Sequence, residues 1–195
     1  MKRLIIWRKK LQVAHNRMDA TDQYSRKDSV ILSGPAVPPM QGEEDTLELV
    51  QKLVKDHLNI VVSQQDISTT HRLGPVRAST PSKRNIFVKF ARRDVKKELI
   101  LKSKNRNRNA TLFANESLTP LRKKMFNALR SMRKGVPDIV KGSTSMEGKV
   151  YAFTPPLAEN GRDQRHYIED WDALKTFCRD YVKKPLDSFL QIVAA

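Results

Sequence analysis

The sequence predicts an α+β protein made of an N-terminal helix followed by two mixed units. Three observations support this class: short apolar runs alternate with the spacing of strands, longer runs repeat with the spacing of helices, and turns containing proline or glycine separate them. The chain has 195 residues, of which 39% are hydrophobic. This length and composition are sufficient for one large domain or two small ones.

Residues 1–27 are predicted to form a helix that is a coiled-coil remnant. A weak heptad stripe places Leu4, Leu11 and Met18 in one core position and Trp7, Ala14 and Thr21 in the other. About three heptads are marginal for a coiled coil that stands alone, and alanine and threonine are poor core residues. Two interpretations remain open: an oligomerising coiled coil, or a single amphipathic helix that packs on its own domain.

Residues 28–116 contain a regular succession of predicted elements. These are a strand at 30–32, a helix at 45–59, strands at 67–73 and 85–90, a helix at 94–104 and a strand at 110–114, with a basic loop at 74–84. Asp45 and Glu48 have the spacing of a helix-capping box. The succession is the split βαβ, or ferredoxin-like, order. Together with the basic character of the segment, it predicts an RNA-recognition motif (RRM).

A second unit is predicted at 117–184, followed by a tail at 185–195. Thr119-Pro120 has the features of a helix start, and Gly135 stops that helix. The remaining elements are strands at 136–140 and 149–153 joined by a Gly- and Ser-rich turn, a polar linker at 159–165 and a helix at 168–182. These elements predict a small α/β C-terminal domain.

Residues 71–134 concentrate the positive charge of the chain. They contain 19 lysine and arginine residues against three acidic ones, a net charge of +16, which equals the formal net charge of the whole chain. The other segments are therefore balanced. This concentration predicts a face that binds a polyanion, with nucleic acid as the first expectation ahead of an anionic membrane surface or an acidic protein.

The remaining composition favours neither an enzyme nor a metal protein. The single cysteine, Cys178, excludes an internal disulfide framework and fits a reducing compartment. The histidines at 15, 57, 71 and 166 have no metal-like spacing, and no nucleophile and base stand at a telling distance. No run approaches the ~18 apolar residues of a membrane span. We therefore expect an intracellular, soluble, non-enzymatic protein without cofactor or metal.

Phe87 is the most informative single residue. The third-strand signature of RRMs is matched only by Lys83, Phe87, Val88 and Phe90. Phe87 and Lys89 share the outward face of the predicted strand, whereas Asn85 replaces the other outward aromatic. Base stacking would then depend on one ring, and affinity mainly on phosphate contacts. The competing interpretation places Phe87 in the core beneath the neighbouring helical unit.

Five short motifs follow one another along the chain. They are Tyr24-Ser25-Arg26-Lys27-Asp28, Ser33-Gly34, His71-Arg72-Leu73-Gly74, Phe90-Ala91-Arg92-Arg93-Asp94-Val95 and Asn115-Glu116-Ser117-Leu118-Thr119-Pro120. In this order they resemble the first-open-reading-frame protein of LINE-type retrotransposons. The likeness covers about residues 11–155.

The resemblance implies a coiled coil that trimerises, an RRM, and a C-terminal nucleic-acid-binding domain that closes over RNA. Such proteins bind single-stranded RNA and DNA, coat the element's transcript and act as nucleic-acid chaperones. The positions that contact RNA in the family correspond here to Arg26, Lys27, Arg72, Arg77, Lys83, Arg84, Arg122, Lys123 and Lys124. Reasoning from the residues themselves adds Phe87, Lys89, Arg92 and Arg93.

These observations predict a single-stranded RNA-binding chaperone of a LINE-type ribonucleoprotein. The expected partners are single-stranded RNA, single-stranded DNA as a second ligand, and further copies of the chain in a homotrimer formed through residues 1–27, with no membrane. The expected location is a cytoplasmic ribonucleoprotein, with the nucleus as a second site. The alternative is an oligomerisation or adaptor protein that binds other proteins through its terminal helices, at 1–27 and 168–182, without nucleic acid.

Overall fold

A computed structural model describes residues 2–40, 43–74, 84–105, 109–157 and 161–190. The protein is a mixed α+β structure, as the sequence predicts, and it divides into two compact units. The central unit comprises Arg26–Ser117, and the terminal unit comprises Met1–Ser25 together with Leu118–Ala195. The first helix, α1 (Lys2–Ser25), therefore groups with the C-terminal segment.

The central unit is built on a four-stranded antiparallel sheet. Its strands are β1 (Ser29–Ser33), β2 (Ile67–Arg72), β3 (Ile86–Phe90) and β4 (Phe113–Glu116). Their order across the sheet is β2-β3-β1-β4. The helices α2 (Thr46–Leu58) and α3 (Arg93–Lys104) follow β1 and β3. A single 3₁₀ turn at Gln64–Asp66 precedes β2.

Helix α2 begins and ends where the sequence predicts. The Asp45 carboxylate accepts hydrogen bonds from the backbone N–H groups of Leu47 at 2.8 Å and Glu48 at 3.2 Å. These bonds satisfy donors that the first helical turn leaves without partners. At the other end Asn59 has a φ of 52°, a left-handed conformation that asparagine tolerates and that stops the helix.

One face of the central sheet carries the core of its unit. The buried strand residues on this face are Val30, Leu32, Ile86, Val88, Phe90 and Ala114, and both α2 and α3 contribute to the same hydrophobic cluster. Successive strand side chains point to opposite faces. Ile31, Phe87 and Lys89 therefore lie on the other face, away from α2 and α3.

The terminal unit combines helices with a three-stranded antiparallel sheet. Helix α4 (Pro120–Gly135) begins at the predicted cap, where the Thr119 hydroxyl accepts the Arg122 N–H at 3.3 Å. The strands are β5 (Gly142–Met146), β6 (Lys149–Thr154) and β7 (Gln164–Ile168), in that order across the sheet. Helix α5 (Trp171–Phe177) continues into a π-helical turn at Cys178–Val182, and α6 spans Asp187–Leu190.

Strand β5 corrects the sequence prediction. Residues 136–140, predicted as a strand, form the turn after α4, in which the Val140 N–H donates to the Val136 carbonyl at 3.0 Å. The strand lies instead in the Gly- and Ser-rich segment predicted as a turn. Glu147 and Gly148 have φ values of 52° and 79°. Positive φ at both positions is typical of the two-residue hairpin turn that matches strand twist, so this turn pairs a segment of low strand propensity with β6.

The end of the chain also differs from the prediction. Residues 164–168, predicted as part of a linker and the start of a helix, pair with β6 as β7. Helix α5 starts only at Trp171, where the Asp170 carboxylate accepts the Ala173 N–H at 2.8 Å. The hydrophobic core extends into the predicted tail, because Leu186 and Phe189 are buried in it.

Helix α1 contacts its own unit through polar side chains. The Asn16 amide donates to Asp170 at 2.7 Å, and the backbone N–H of Thr119 donates to the Gln23 side chain at 2.9 Å. Asp19 accepts a hydrogen bond from the Thr119 hydroxyl and another from Arg122 Nε at 2.7 Å. Asn16, Asp19 and Gln23 are three and four residues apart, so they share one side of the helix.

The apolar stripe of α1 is exposed. Trp7, Leu11 and Met18 are 68%, 73% and 72% exposed. The helix does pack on its own unit, as one interpretation of the sequence predicts, but it uses its polar side rather than the stripe. The coiled coil stays a prediction. Although α1 has 24 residues, neither it nor any other helix in the described ranges is apolar enough to cross a membrane.

We expect Asp19→Ala to destabilise the terminal unit. The side chains of Arg122 and Asp19 are only 12% and 9% exposed, so removal of the carboxylate leaves a nearly buried guanidinium without its charge partner. The expected loss is about 3 kcal/mol in the free energy of unfolding. Both tryptophans, Trp7 and Trp171, belong to this unit. Their fluorescence during urea denaturation therefore reports on it selectively.

Asp180→Ala is the matched control for this measurement. Asp180 also pairs with an arginine of the terminal unit, Arg179, at 2.7 Å, but both side chains are largely exposed. Exposed pairs contribute little to stability, so we expect the urea midpoint of this variant to equal that of the wild type. An unchanged midpoint for Asp19→Ala as well would mean that the ion pair does not hold α1 in place.

Candidate nucleic-acid interface

The outward face of the central sheet carries two stacked rings. Strand pairing places His71 of β2 beside Phe87 of β3, and their ring centroids are 4.8 Å apart at an interplanar angle of 30°. His71 is exposed and Phe87 is half-buried. Ile31 of β1 is the next residue in the same row. The rings and the isoleucine form an apolar surface of the kind on which nucleobases stack.

His71 is a site residue that the sequence analysis did not assign. Its strand was predicted as polar, with no sign of which residue would stand beside Phe87. The register between β2 and β3 places His71 beside Phe87, and this pairing is irregular between Ile67 and Thr69. Such a bulge shifts which side chains reach the outward face, so the sequence alone could not supply the neighbour.

Two exposed lysines are available for phosphate contacts. Lys89 lies on the outward face of β3, two residues after Phe87, and Lys123 lies in the first turn of α4. Within the described ranges neither forms a salt bridge with a carboxylate. Lys124 is also exposed, and its ammonium lies 4.9 Å from the centre of the Trp171 ring. A cation held over an aromatic ring remains open to solvent and to anions on its other side.

Two predicted arginines are used inside the units. The Arg72 side chain is 3% exposed, and its Nε and Nη2 donate to the Glu44 carboxylate at 2.9 and 2.6 Å. Arg122 pairs with Asp19 and donates to the Gly148 carbonyl at 2.8 Å. Both guanidinium groups are thus matched by internal acceptors, and their role in RNA contact stays a prediction.

Arg84 connects the two ends of the basic loop. Its Nη1 donates to the Gly74 carbonyl at 2.9 Å, and its Nη2 contacts the Met40 sulfur. Its own carbonyl accepts from Arg72 Nη1 at 2.8 Å. The other two predicted loop residues, Arg77 and Lys83, lie outside the described residues.

Arg92 and Arg93 are exposed but paired with acids. Arg92 contacts Asp94 at 2.5 Å and Asp66 at 3.6 Å, and Arg93 contacts Asp28 at 3.0 Å. The hydrogen bond from Arg92 holds the pKa of Asp94 below its usual value. Such surface pairs contribute little to stability, so both guanidinium groups can exchange a carboxylate for a phosphate.

The segment before β1 is tied to the central unit. Arg26 and Lys27 are half-buried, and the Lys27 carbonyl accepts a hydrogen bond from the Lys96 ammonium. Lys96 is itself 4% exposed and lies 3.6 Å from the Glu116 carboxylate. This buried contact fixes the backbone at Lys27, which in turn sets where the two basic side chains emerge.

Two reactive side chains outside this interface, Cys178 and His166, belong to the terminal unit. Cys178 is buried against the Met132 sulfur at 3.9 Å. The His166 ring lies 2.8 Å from the Thr154 hydroxyl, and burial lowers its pKa. In the described part of the chain, no three residues among histidine, cysteine, aspartate and glutamate are grouped as metal ligands.

No protein-family model matches the chain, and no curated protein matches it.

We expect Cys178 to react very slowly with thiol reagents in the folded protein. Burial raises its pKa to about 11, so roughly one thiol in a thousand is ionised at pH 8, and the thiolate is the reactive form. A chromogenic disulfide reagent at pH 8 should therefore label the native protein slowly and the urea-unfolded protein at once. Fast native labelling would contradict a core position.

The same pKa shift predicts a pH dependence of stability. The folded state favours the protonated thiol, because burial raises the pKa of Cys178 from 9.0 to about 11. The resulting contribution to stability is complete below pH 9 and is lost as the pH rises toward 11. Cys178→Ala should therefore flatten the fall in urea midpoint between pH 9 and 11.

Proposed function

We propose that this protein binds single-stranded RNA, with single-stranded DNA as a second ligand, as the nucleic-acid chaperone of a LINE-type ribonucleoprotein. The observation that carries the proposal is the outward face of the central sheet, where the stack of His71 and Phe87 lies beside the exposed Lys89. A single-stranded nucleotide offers a base that stacks on a ring and a phosphate that pairs with a cation. Proteins of this class are expected in cytoplasmic ribonucleoproteins.

The topology of the central unit supports an RRM assignment. The strand order β2-β3-β1-β4, with one helix after β1 and one after β3, is consistent with the ferredoxin-like arrangement. RRMs stack bases on aromatic residues of the sheet face that their helices leave open. Here the second ring of that face comes from β2 rather than from β1.

The distribution of charge supports binding that tolerates many sequences. One pair of stacked rings supplies about 1 to 3 kcal/mol per stacked base, which is modest, so phosphate contacts must supply much of the affinity. Each contacted phosphate of a single strand adds about −0.7 to the salt slope. The exposed cations Lys89, Arg92, Arg93, Lys123 and Lys124 are the groups we assign to this role.

The five motifs shared with LINE first-open-reading-frame proteins support the same reading. They run from the end of α1, through the central unit, to the start of α4. We assign the segment from α4 onward to the C-terminal nucleic-acid-binding domain of that family. Its first helix carries Lys123 and Lys124 at the positions that the resemblance marks for RNA.

We expect the double variant Lys89→Glu/Lys123→Glu to bind single-stranded RNA at least about tenfold more weakly at 0.1 M salt. Loss of two phosphate contacts should reduce the salt slope by about 1.4. Fluorescence anisotropy of a labelled 30-nucleotide strand, titrated at four salt concentrations and compared with duplex, measures both quantities. Arg122 is avoided because its reversal would break the ion pair with Asp19.

Lys52→Glu/Lys55→Glu is the control with the same change in charge. Both lysines are exposed on α2, which packs against the opposite face of the central sheet. This variant should keep the wild-type salt slope. Equal effects of the two variants would mean that binding depends on net charge alone. No binding by the wild type at low salt would refute the proposed function.

The exposed stripe of α1 favours self-association as a second function. Trp7, Leu11 and Met18 are more than two-thirds exposed, whereas Asp19 and Gln23 on the polar side are engaged by the terminal unit. A helix that turns its apolar side to water is suited to pairing with copies of itself. We therefore extend the proposal to a homotrimer through α1. An adaptor role would use the same stripe for other proteins.

We expect Leu11→Glu/Met18→Glu to convert a nuclease-treated oligomer into a monomer. Burial of carboxylates in a helical seam is strongly unfavourable. Both residues are largely exposed, so we expect the substitutions to leave the fold of the terminal unit intact. Light scattering after size-exclusion chromatography measures the mass. Val13→Glu, a 51% exposed residue off the stripe, should leave the oligomer intact. If the wild type is a monomer even at high concentration, the stripe does not mediate self-association, and the adaptor role is favoured.

A further inference from the structure

The three-stranded sheet of the terminal unit carries a pair of tyrosines on its outward face. Tyr151 of β6 and Tyr167 of β7 are directly paired in the sheet, and their ring centroids are 5.6 Å apart at an angle of 45°. The intervening strand residues Val150, Ala152 and Ile168 point the other way and belong to the core with α4. Tyr167 is 43% exposed and Tyr151 is half-buried. The rings therefore face solvent and not the core.

A cation lies over each of these rings. Lys149 Nζ is 5.7 Å from the centre of the Tyr167 ring, and Arg165 Cζ is 5.0 Å from the centre of the Tyr151 ring. Each cation stands two residues before the tyrosine of its own strand, on the same face. Within the described ranges neither cation has a carboxylate partner in a salt bridge. The result is an alternation of two rings and two positive charges.

The composition of this face identifies the chemistry of its ligand. Exposed rings offer flat apolar surface, and cations without carboxylate partners attract an anion, so the ligand must present flat rings and negative charges at close spacing. A single-stranded nucleic acid presents a base and a phosphate at every step. An acidic peptide supplies only the charges, and an apolar protein surface would leave Lys149 and Arg165 unmatched on desolvation.

We infer that this face, formed by Tyr151, Tyr167, Lys149 and Arg165, is a second stacking site for single-stranded nucleic acid. The inference rests on the proposed function, because it assumes that the chain binds such a strand. Bases stack on the tyrosines, and the lysine and arginine pair with adjacent phosphates. A tyrosine phenol is neutral at physiological pH, and burial, together with the carboxylates of Glu169 and Asp170, raises the pKa of Tyr167 further.

The test separates stacking from charge. Full-length protein is titrated with labelled oligothymidylate of 30 nucleotides and with an abasic strand of the same length, which keeps the phosphates and lacks the bases. We expect Tyr151→Leu/Tyr167→Leu to weaken binding of oligothymidylate about tenfold or more, with the salt slope unchanged. Binding of the abasic strand should be unaffected. Tyr151→Phe/Tyr167→Phe keeps the rings and should bind as the wild type does.

Tyr181→Leu is the matched control. Tyr181 is also 43% exposed, but its ring packs on His166 and Phe177 in the same unit, so its loss tests any general effect on the fold. It should leave oligothymidylate binding unchanged. In a second variant, Lys149→Gln/Arg165→Gln should lower the salt slope by about 1.4 for both strands.

The possible failures can be told apart. If the wild type binds no strand, the proposed function fails and this inference fails with it. If the wild type binds oligothymidylate and the leucine double variant binds it equally well, the inference alone is overturned. The inference would also be overturned if the leucine double variant lost as much affinity for the abasic strand, or for polyglutamate, which has no bases, as for oligothymidylate. The face would then recognise charge alone.

Discussion

The ion pair between Asp19 and Arg122 joins residues 103 positions apart and holds the first helix against the helix that follows the central unit. Beside it, Gln23 accepts the Thr119 N–H. Within the central unit, the Ser117 N–H reaches the Ser29 carbonyl at 3.3 Å. The central unit is thus inserted in the sequence of the terminal unit. Its two ends lie close together, and so do the two segments of the terminal unit that flank it. Closing a loop of this length carries an entropy cost, which falls when the central unit folds first and brings its own ends together. Formation of the central unit therefore lowers the entropy cost of forming the terminal unit.

The protein divides its excess of positive charge between internal contacts and the surface. Arg72, Arg122 and Lys96 each contact a carboxylate and a carbonyl at once inside the protein. The exposed positions Lys89 and Lys123 carry compact, strongly hydrated charges instead. Counting basic residues therefore overstates the charge available to a nucleic acid.

The sequence predicts those features that depend on near neighbours. The Asp45 cap, the end of α2 at Asn59 and the alternation in β3 all depend on a few adjacent residues, and the structure confirms them. The strands β5 and β7 were missed because Gly142-Ser143 and Gln164-Arg165 have little strand propensity, and their pairing with β6 overrides it. The same limit applies to the site. Phe87 was predicted from a motif, but its neighbour His71, and the pairing of Tyr151 with Tyr167, depend on register between strands.

Each unit thus has a core on one face of its sheet and rings beside cations on the other. The central sheet has the rings of His71 and Phe87 on this face, and the terminal sheet has those of Tyr151 and Tyr167, whereas the aromatics of a typical RRM stack two or three bases. If both faces bind one strand, as we propose, the second contact would form at a high effective concentration once the first has formed, and the chain would hold a long strand more tightly than either face alone. Rings that stack on any base and cations that pair with any phosphate discriminate little between sequences. Under the same proposal each contact would release separately, so a strand could exchange partners while it remains bound, as a chaperone requires.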